Sequence, residues 1–178
     1  MTIPVWKKGM GLQEINKVRI CREGRWPEKH LISLMSAYSR SPYLGDHLNF
    51  MERIFSPEFE LLIDLNMTII RYLMKELRIN TRVVLQSGLE KKARGTPLLI
   101  GLCRDLGADL FLAQGQARKY LDTGLFRDAG IGLRFFRQPS IVYPQLWGDF
   151  IPNLSALDLL FNCGPKAHVI LTGSHRGS

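Results

Sequence analysis

The stretch TPLLIGLCRDLGADLFLAQG, residues 96–115, decides the fold class. Leu98–Leu106 reads as a helix, and a helix is predicted over 97–106. Gly107 stands where a helix end wants a left-handed residue. Asp109–Ala113 is then a short apolar run of strand length, placing a strand over 109–113. Downstream, short helical patterns over 115–129 lead through Gly130 into a second apolar run, Ile131–Arg137, and a strand over 131–136. A helix–strand–helix–strand rhythm of this size favours strands laid side by side in parallel, with helices packed on them. The expected class is α/β, with a mixed or mostly parallel sheet.

Working outward, two short strands are expected near residues 2–6 and 15–20, joined by a turn at Gly9–Gly11. Trp26, His30, Leu34 and Tyr38 recur every fourth residue, which predicts a helix over 26–38 opened by Pro27. Ser41–Pro42 breaks it, and a second helix runs to about Phe55. A third is predicted over 58–77, its stripe made of Leu62, Asn66, Ile70, Leu73 and Leu77. A strand over 82–86 and a loop with Lys91, Lys92 and Gly95 precede the deciding stretch. After it comes a Pro- and aromatic-rich loop, 138–153, and a last helix over 154–163 that stops at Gly164–Pro165. Long loops inside a domain are often functional, so this one points to a site.

With 178 residues, 46% of them hydrophobic and 22% charged, the chain fits one globular domain, residues 1–172, followed by a small polar tail, 173–178, that is expected to be disordered. Lys and Arg exceed Asp and Glu by 24 − 16 = 8, which favours anionic partners: nucleotides, phosphorylated sugars, nucleic acid or an acidic membrane surface. The basic residues fall in separate short groups without a nucleic-acid-binding motif, so no nucleic acid is expected. Cys21, Cys103 and Cys163 form no CxxC pair, and the N-terminus has no apolar signal region; a reduced, cytoplasmic chain is the expectation. Charged and polar residues interrupt the longest apolar stretch, Phe59–Leu77, so no membrane span is expected.

Phosphate-loop, dinucleotide, serine-hydrolase and zinc-protease signatures are absent, and the four histidines lack ligand spacing. No metal and no cofactor are implied. What remains are polar residues among apolar neighbours. Asn66 interrupts the long helix stripe; it ties a loop to the helix or touches a ligand. His30, beside Lys29, is a packed histidine or a general acid or base. Ser155-x-x-Asp158 matches a capping box, and the same carboxylate could serve in binding. Tyr143–Pro144–Gln145 sets a phenol and an amide beside a rigid kink, suited either to holding a sugar or to packing its own loop.

The segments LSALDLLFNCG (154–164), GADLFLAQG (107–115), TIPV (2–5), W-x-x-K-H (26–30), Y-x-x-x-P-Y (38–43), D-L-N (64–66) and Y-P-Q (143–145) resemble, in order, the motifs of the WbqC-like family. Members of that family usually begin with a His-Gln-Pro segment that precedes the first strand here, so the resemblance implies that a few dozen residues are missing at the N-terminus. It further implies inactivity of this chain alone if that segment carries catalytic groups, and an exposed sheet edge near 2–6 that promotes homo-oligomers. The implied setting is O-antigen and capsule biosynthesis. The implied enzyme is a transferase moving an acyl or aminoacyl group onto a nucleotide-activated amino sugar. Alternatives are a nucleotidyltransferase-like protein, with Lys91, Lys92 and Arg94 at the phosphates, or a non-catalytic binding or scaffold remnant. Residues and matched motifs together make His30 and Asp158 the expected catalytic groups. Lys29, Asn66, Tyr143 and Gln145 are the expected substrate-binding groups. His30, Asn66, Tyr143, Gln145 and Asp158 are expected to converge on one cleft at the loop after the last strand.

Overall fold

The computed structural model describes residues 1–89, 93–137 and 140–173. Contacts gather the chain into two units: residues 1–81 with those from 140 onward, and the intervening residues 82–139.

The intervening unit holds the predicted rhythm. Helix α4 (Gly95–Asp105) is followed by strand β1 (Leu110–Gln114), helix α5 (Thr123–Asp128) and strand β2 (Gly132–Phe136). β1 and β2 pair in parallel, Leu110 opposite Gly132 through Gln114 opposite Phe136, so the α/β class expected from sequence is what forms. Gly107, at φ +64°, lets Gly107 N–H reach Arg104 O and Ala108 N–H reach Cys103 O, closing the end of α4. The Asp122 side chain accepts from the N–H groups of Gly124 and Leu125 and caps α5. Ile100, Cys103, Phe126 and Ile131 form the core, joined by Phe111 and Leu133 from the strands.

The larger unit is built on helices α1 (Trp26–Tyr38), α2 (Leu44–Phe55), α3 (Leu62–Glu76), α6 (Ala156–Cys163) and α7 (Ala167–Gly173). α6 is buried nearly all round, through Leu159, Leu160, Phe161 and Cys163, and its Phe161 joins the core of Trp26, Leu34, Met51 and Leu65. A helix buried on most of its sides belongs at the centre of its unit. The helix α7 has no counterpart in the sequence reading; His168 Nδ1–H donates to Leu77 O at 2.8 Å and ties it to the end of α3.

Three expectations are corrected. The strands at 2–6 and 15–20 reduce to single antiparallel bridges, Val5 with Ile20 and Arg19 with Leu61, while Ile15–Lys17 is a 3-10 turn. Residues 82–86 form no strand: Leu85 has extended dihedrals, but a strand needs a partner and none pairs here among the described residues. The third helix starts at Leu62, because residues 60–62 are drawn out to pair with 18–20, Ile20 N–H donating to Glu60 O and Leu62 N–H to Val18 O, both at 2.9 Å. Of the stripe read in sequence, Leu62, Leu73 and Leu77 pack into the cores, whereas Ile70 is 42% exposed, and Leu65 and Met67, off that stripe, are buried. No helix among the described residues is long and apolar enough to cross a membrane.

Candidate functional site

Asp158 is the third residue of α6 and only 3% exposed. Its carboxylate accepts four hydrogen bonds. Oδ1 takes the Tyr38 hydroxyl at 2.9 Å and Asn162 Nδ2–H at 3.3 Å; Oδ2 takes the Tyr143 hydroxyl at 2.7 Å and Gln145 Nε2–H at 3.2 Å. Half of the capping box forms, with Asp158 N–H donating to Ser155 Oγ at 3.1 Å. The other half does not, since the carboxylate turns inward to the two phenols. Gln145 also spans the loop, Oε1 accepting from Ile151 N–H at 2.8 Å and Nε2–H donating to Ile151 O at 2.9 Å. This pair of bonds mimics a backbone ladder and holds residues 145–151 as a closed loop. Trp147 pins it further by donating to Ala37 O at 3.1 Å.

The structure therefore brings Tyr143, Gln145 and Asp158 together and adds Tyr38 and Asn162, which sequence reasoning missed. The signal for Tyr38 was its place on the α1 stripe with a polar tip needing a partner; Asn162 sits four residues after Asp158 on one helix face. His30 and Asn66 stand apart from this group. His30 Nε2–H donates to Thr2 O at 3.0 Å, and its ring meets the edges of Trp26 and Phe55. Asn66 is half-buried on α3, and Lys29 is exposed. The cavities lined by Trp6, Arg22 and Phe59 and by His47, Glu76 and Arg78 include none of Tyr143, Gln145 and Asp158.

Burial, with the Asp158 hydrogen bond second, pushes the Tyr143 phenol up to about 12, and the same causes push Tyr38 up. Both phenols thus remain donors throughout the neutral range. A folded pKa raised from 10 to about 12 contributes stability that is complete below pH 10 and lost as pH rises through 12. Tyr143→Phe should therefore remove part of the stability loss seen between these values. Chemical denaturation of both proteins at pH 9 and pH 11 measures this, and equal losses in the two would disprove the coupling.

A different place has the geometry of a ligand site. At the carboxyl ends of β1 and β2 lies an open cavity of about 470 Å³, lined by Gln114, Gly115, Gln116, Phe136 and Arg137. The parallel register sets Gln114 opposite Phe136, so the chain leaves both strands at this end. Gly115 then starts a 3-10 turn, Gly115–Lys119, which bears Arg118 and Lys119. The Arg118 guanidinium stacks over Phe135 at 4.2 Å, holding its charge beside the strand end. Open parallel sheets bind ligands outside the carboxyl ends of their strands. Of this site the sequence reading had Gln114 and the closing Gly115 within its matched segment, and singled out none of Gln116, Phe136 and Arg137. Lys91 and Lys92, expected at phosphates in the nucleotidyltransferase reading, lie outside the described residues.

The family model described as WbqC-like protein family matches residues 1–170. This chain belongs to the WbqC-like family. Among curated proteins, the uncharacterized protein Rv1507c of Mycobacterium tuberculosis (strain ATCC 25618 / H37Rv) is 30% identical over 170 residues, covering 94% of this chain and 73% of that protein. No solved structure matches the chain. The match to this WbqC-like chain takes in both the Asp158 group and the cavity at the strand ends.

Proposed function

We propose that this WbqC-like protein is a transferase of bacterial surface-polysaccharide biosynthesis that takes a nucleotide-activated amino sugar as acceptor of an acyl or aminoacyl group. The observation that carries the reading is the cavity at the carboxyl ends of β1 and β2, with Arg137 on its wall. A nucleotide-sugar brings a diphosphate, a sugar and a flat base. Arg137 offers a fork of donors suited to the diphosphate. Gln114 and Gln116 offer amides that can donate and accept with sugar hydroxyls, and Phe136 gives the base an apolar ring to lie against. Gly115 leaves the wall free of a side chain where ligand must approach the backbone. The chain's formal charge of +8 adds a long-range attraction for such an anion. Within this reading the Asp158 group fixes the loop 140–151 and does not perform the chemistry.

Calorimetric titration with a nucleoside-diphosphate amino sugar tests the assignment. Arg137→Gln should weaken binding about tenfold to hundredfold, the worth of a lost charge-assisted hydrogen bond. Gly115→Val should weaken it similarly, because its added methyl groups enter the cavity; a Cβ alone meets only Phe136 O, at 3.8 Å. Affinity unchanged in both variants would remove the site.

A further inference from the structure

His47 is 4% exposed, yet it lines a cavity of about 230 Å³. Its Nδ1 is hydrogen-bonded to the Tyr72 hydroxyl, which fixes the ring between Tyr72 and Phe161, at centroid distances of 5.9 and 5.5 Å. The rest of the wall has an unusual mixture of charge. Asp46 and Glu76 bring two carboxylates, Lys75 and Arg78 bring two cations, and Leu160 and Pro165 supply an apolar patch. Lys75 and Glu76 are 3.9 Å apart, so the two signs are not neutralised in one tight pair.

A second observation concerns Arg78. It follows the end of α3 at φ +53°, in the left-handed region where glycine is the usual residue. The chain makes the same closing bonds there that glycine makes elsewhere, Arg78 N–H to Lys75 O and Ile79 N–H to Met74 O. An arginine held in this conformation puts its charge on the cavity rim at a cost that glycine would avoid. Backbone strain of this kind concentrates at ligand clamps.

We infer that the His47 cavity binds a small α-amino acid, free or as the aminoacyl part of a larger donor. Arg78 and Lys75 face its carboxylate or the acyl carbonyl that replaces it, and Asp46 and Glu76 face its ammonium. Leu160 and Pro165 bound a short side chain. The volume, below the usual range for drug-sized ligands, limits the occupant to a small molecule. Burial lowers the His47 pKa against the opposing influence of Glu76 and Asp46, so the ring enters the site as a neutral donor or acceptor beside the ammonium. The inference does not rest on the nucleotide-sugar reading: its cavity belongs to the larger unit, and its test contains no nucleotide.

The test follows the histidine ring signals of the full chain by proton NMR while L-alanine, acetate or methylamine is added. His47→Gln identifies the His47 signals among those of the four histidines. Saturable shifts with alanine, and at least tenfold weaker binding of acetate and of methylamine, support a site that reads both charges. Arg78→Gly should weaken alanine binding tenfold or more while the melting temperature stays level or rises, a combination a purely structural arginine would not give. Asp46→Asn should weaken it as well and leave acetate unaffected. Absence of any shift, acetate binding as tightly as alanine, or full affinity in Arg78→Gly overturns the inference.

Discussion

Asp158→Asn is expected to destabilise the fold by about 3–5 kcal/mol, the loss of two charge-assisted hydrogen bonds at a buried acceptor. The carboxylate is an acceptor on both oxygens and meets four donors from Tyr38, Asn162, Tyr143 and Gln145. An amide keeps one accepting oxygen and turns an NH₂ toward two of those donors. For a chain of this length, 1 kcal/mol moves the melting temperature by about 2–4 °C, so a fall on the order of 10 °C is the expected result. Tyr143→Phe removes one donor and leaves Oδ2 with Gln145, and should cost roughly half as much or less. If Asp158 were instead a catalytic carboxylate tolerant of local change, Asp158→Asn would melt within about 1–2 °C of the wild type. That outcome would move Asp158 back among the reacting groups.

The second large effect is expected at Gly164, which ends α6 at φ +49° and ψ −128°. This corner of backbone space is open to glycine and costs other residues roughly 1–3 kcal/mol. A Cβ there would stand 2.4 Å from Cδ1 of Tyr43, so the half-buried ring or the backbone must shift to admit it. Overpacking of this kind adds about 1–3 kcal/mol. Gly164→Ala should thus lose on the order of 3 kcal/mol in denaturant titrations. A double-mutant cycle with Tyr43→Ala separates the two causes: the steric part is recovered in the pair, and the dihedral part is not. No recovery at all would mean that the Tyr43 ring moves aside freely.

The sequence was most legible where the pattern was local. The helix–strand rhythm of 97–136 needed only short-range periodicity and Gly107, and it forms nearly as read. Residues 82–86 have the β-branched run of a strand but no pairing partner among the described residues, and pairing is a property of two segments. The α3 stripe held only in part, for a related reason. Both Leu62 and Leu65 pack on the main core and Leu73 on a second one, so the helix serves two apolar surfaces and no single stripe describes it. For the candidate site, Tyr143, Gln145 and Asp158 could be picked out as polar residues among apolar neighbours, and they do meet. That they meet one another so completely was hidden, because Tyr38 comes to Asp158 from 120 positions away. The cavity at the strand ends was hidden differently: Gln114, Gln116 and Arg137 are ordinary surface residues until the parallel register sets them side by side.

The division of the chain also dictates an order of events during synthesis. Residues 82–139 are continuous and close their contacts over short distances, so this unit can form soon after it leaves the ribosome. The larger unit cannot. Its central helix, α6, and the carboxylate that gathers Tyr38 and Tyr143 emerge only after the whole of the smaller unit. Until then α1, α2 and α3 present the apolar faces that Phe161 later covers, and a nascent chain stalled before residue 156 would be a substrate for chaperones.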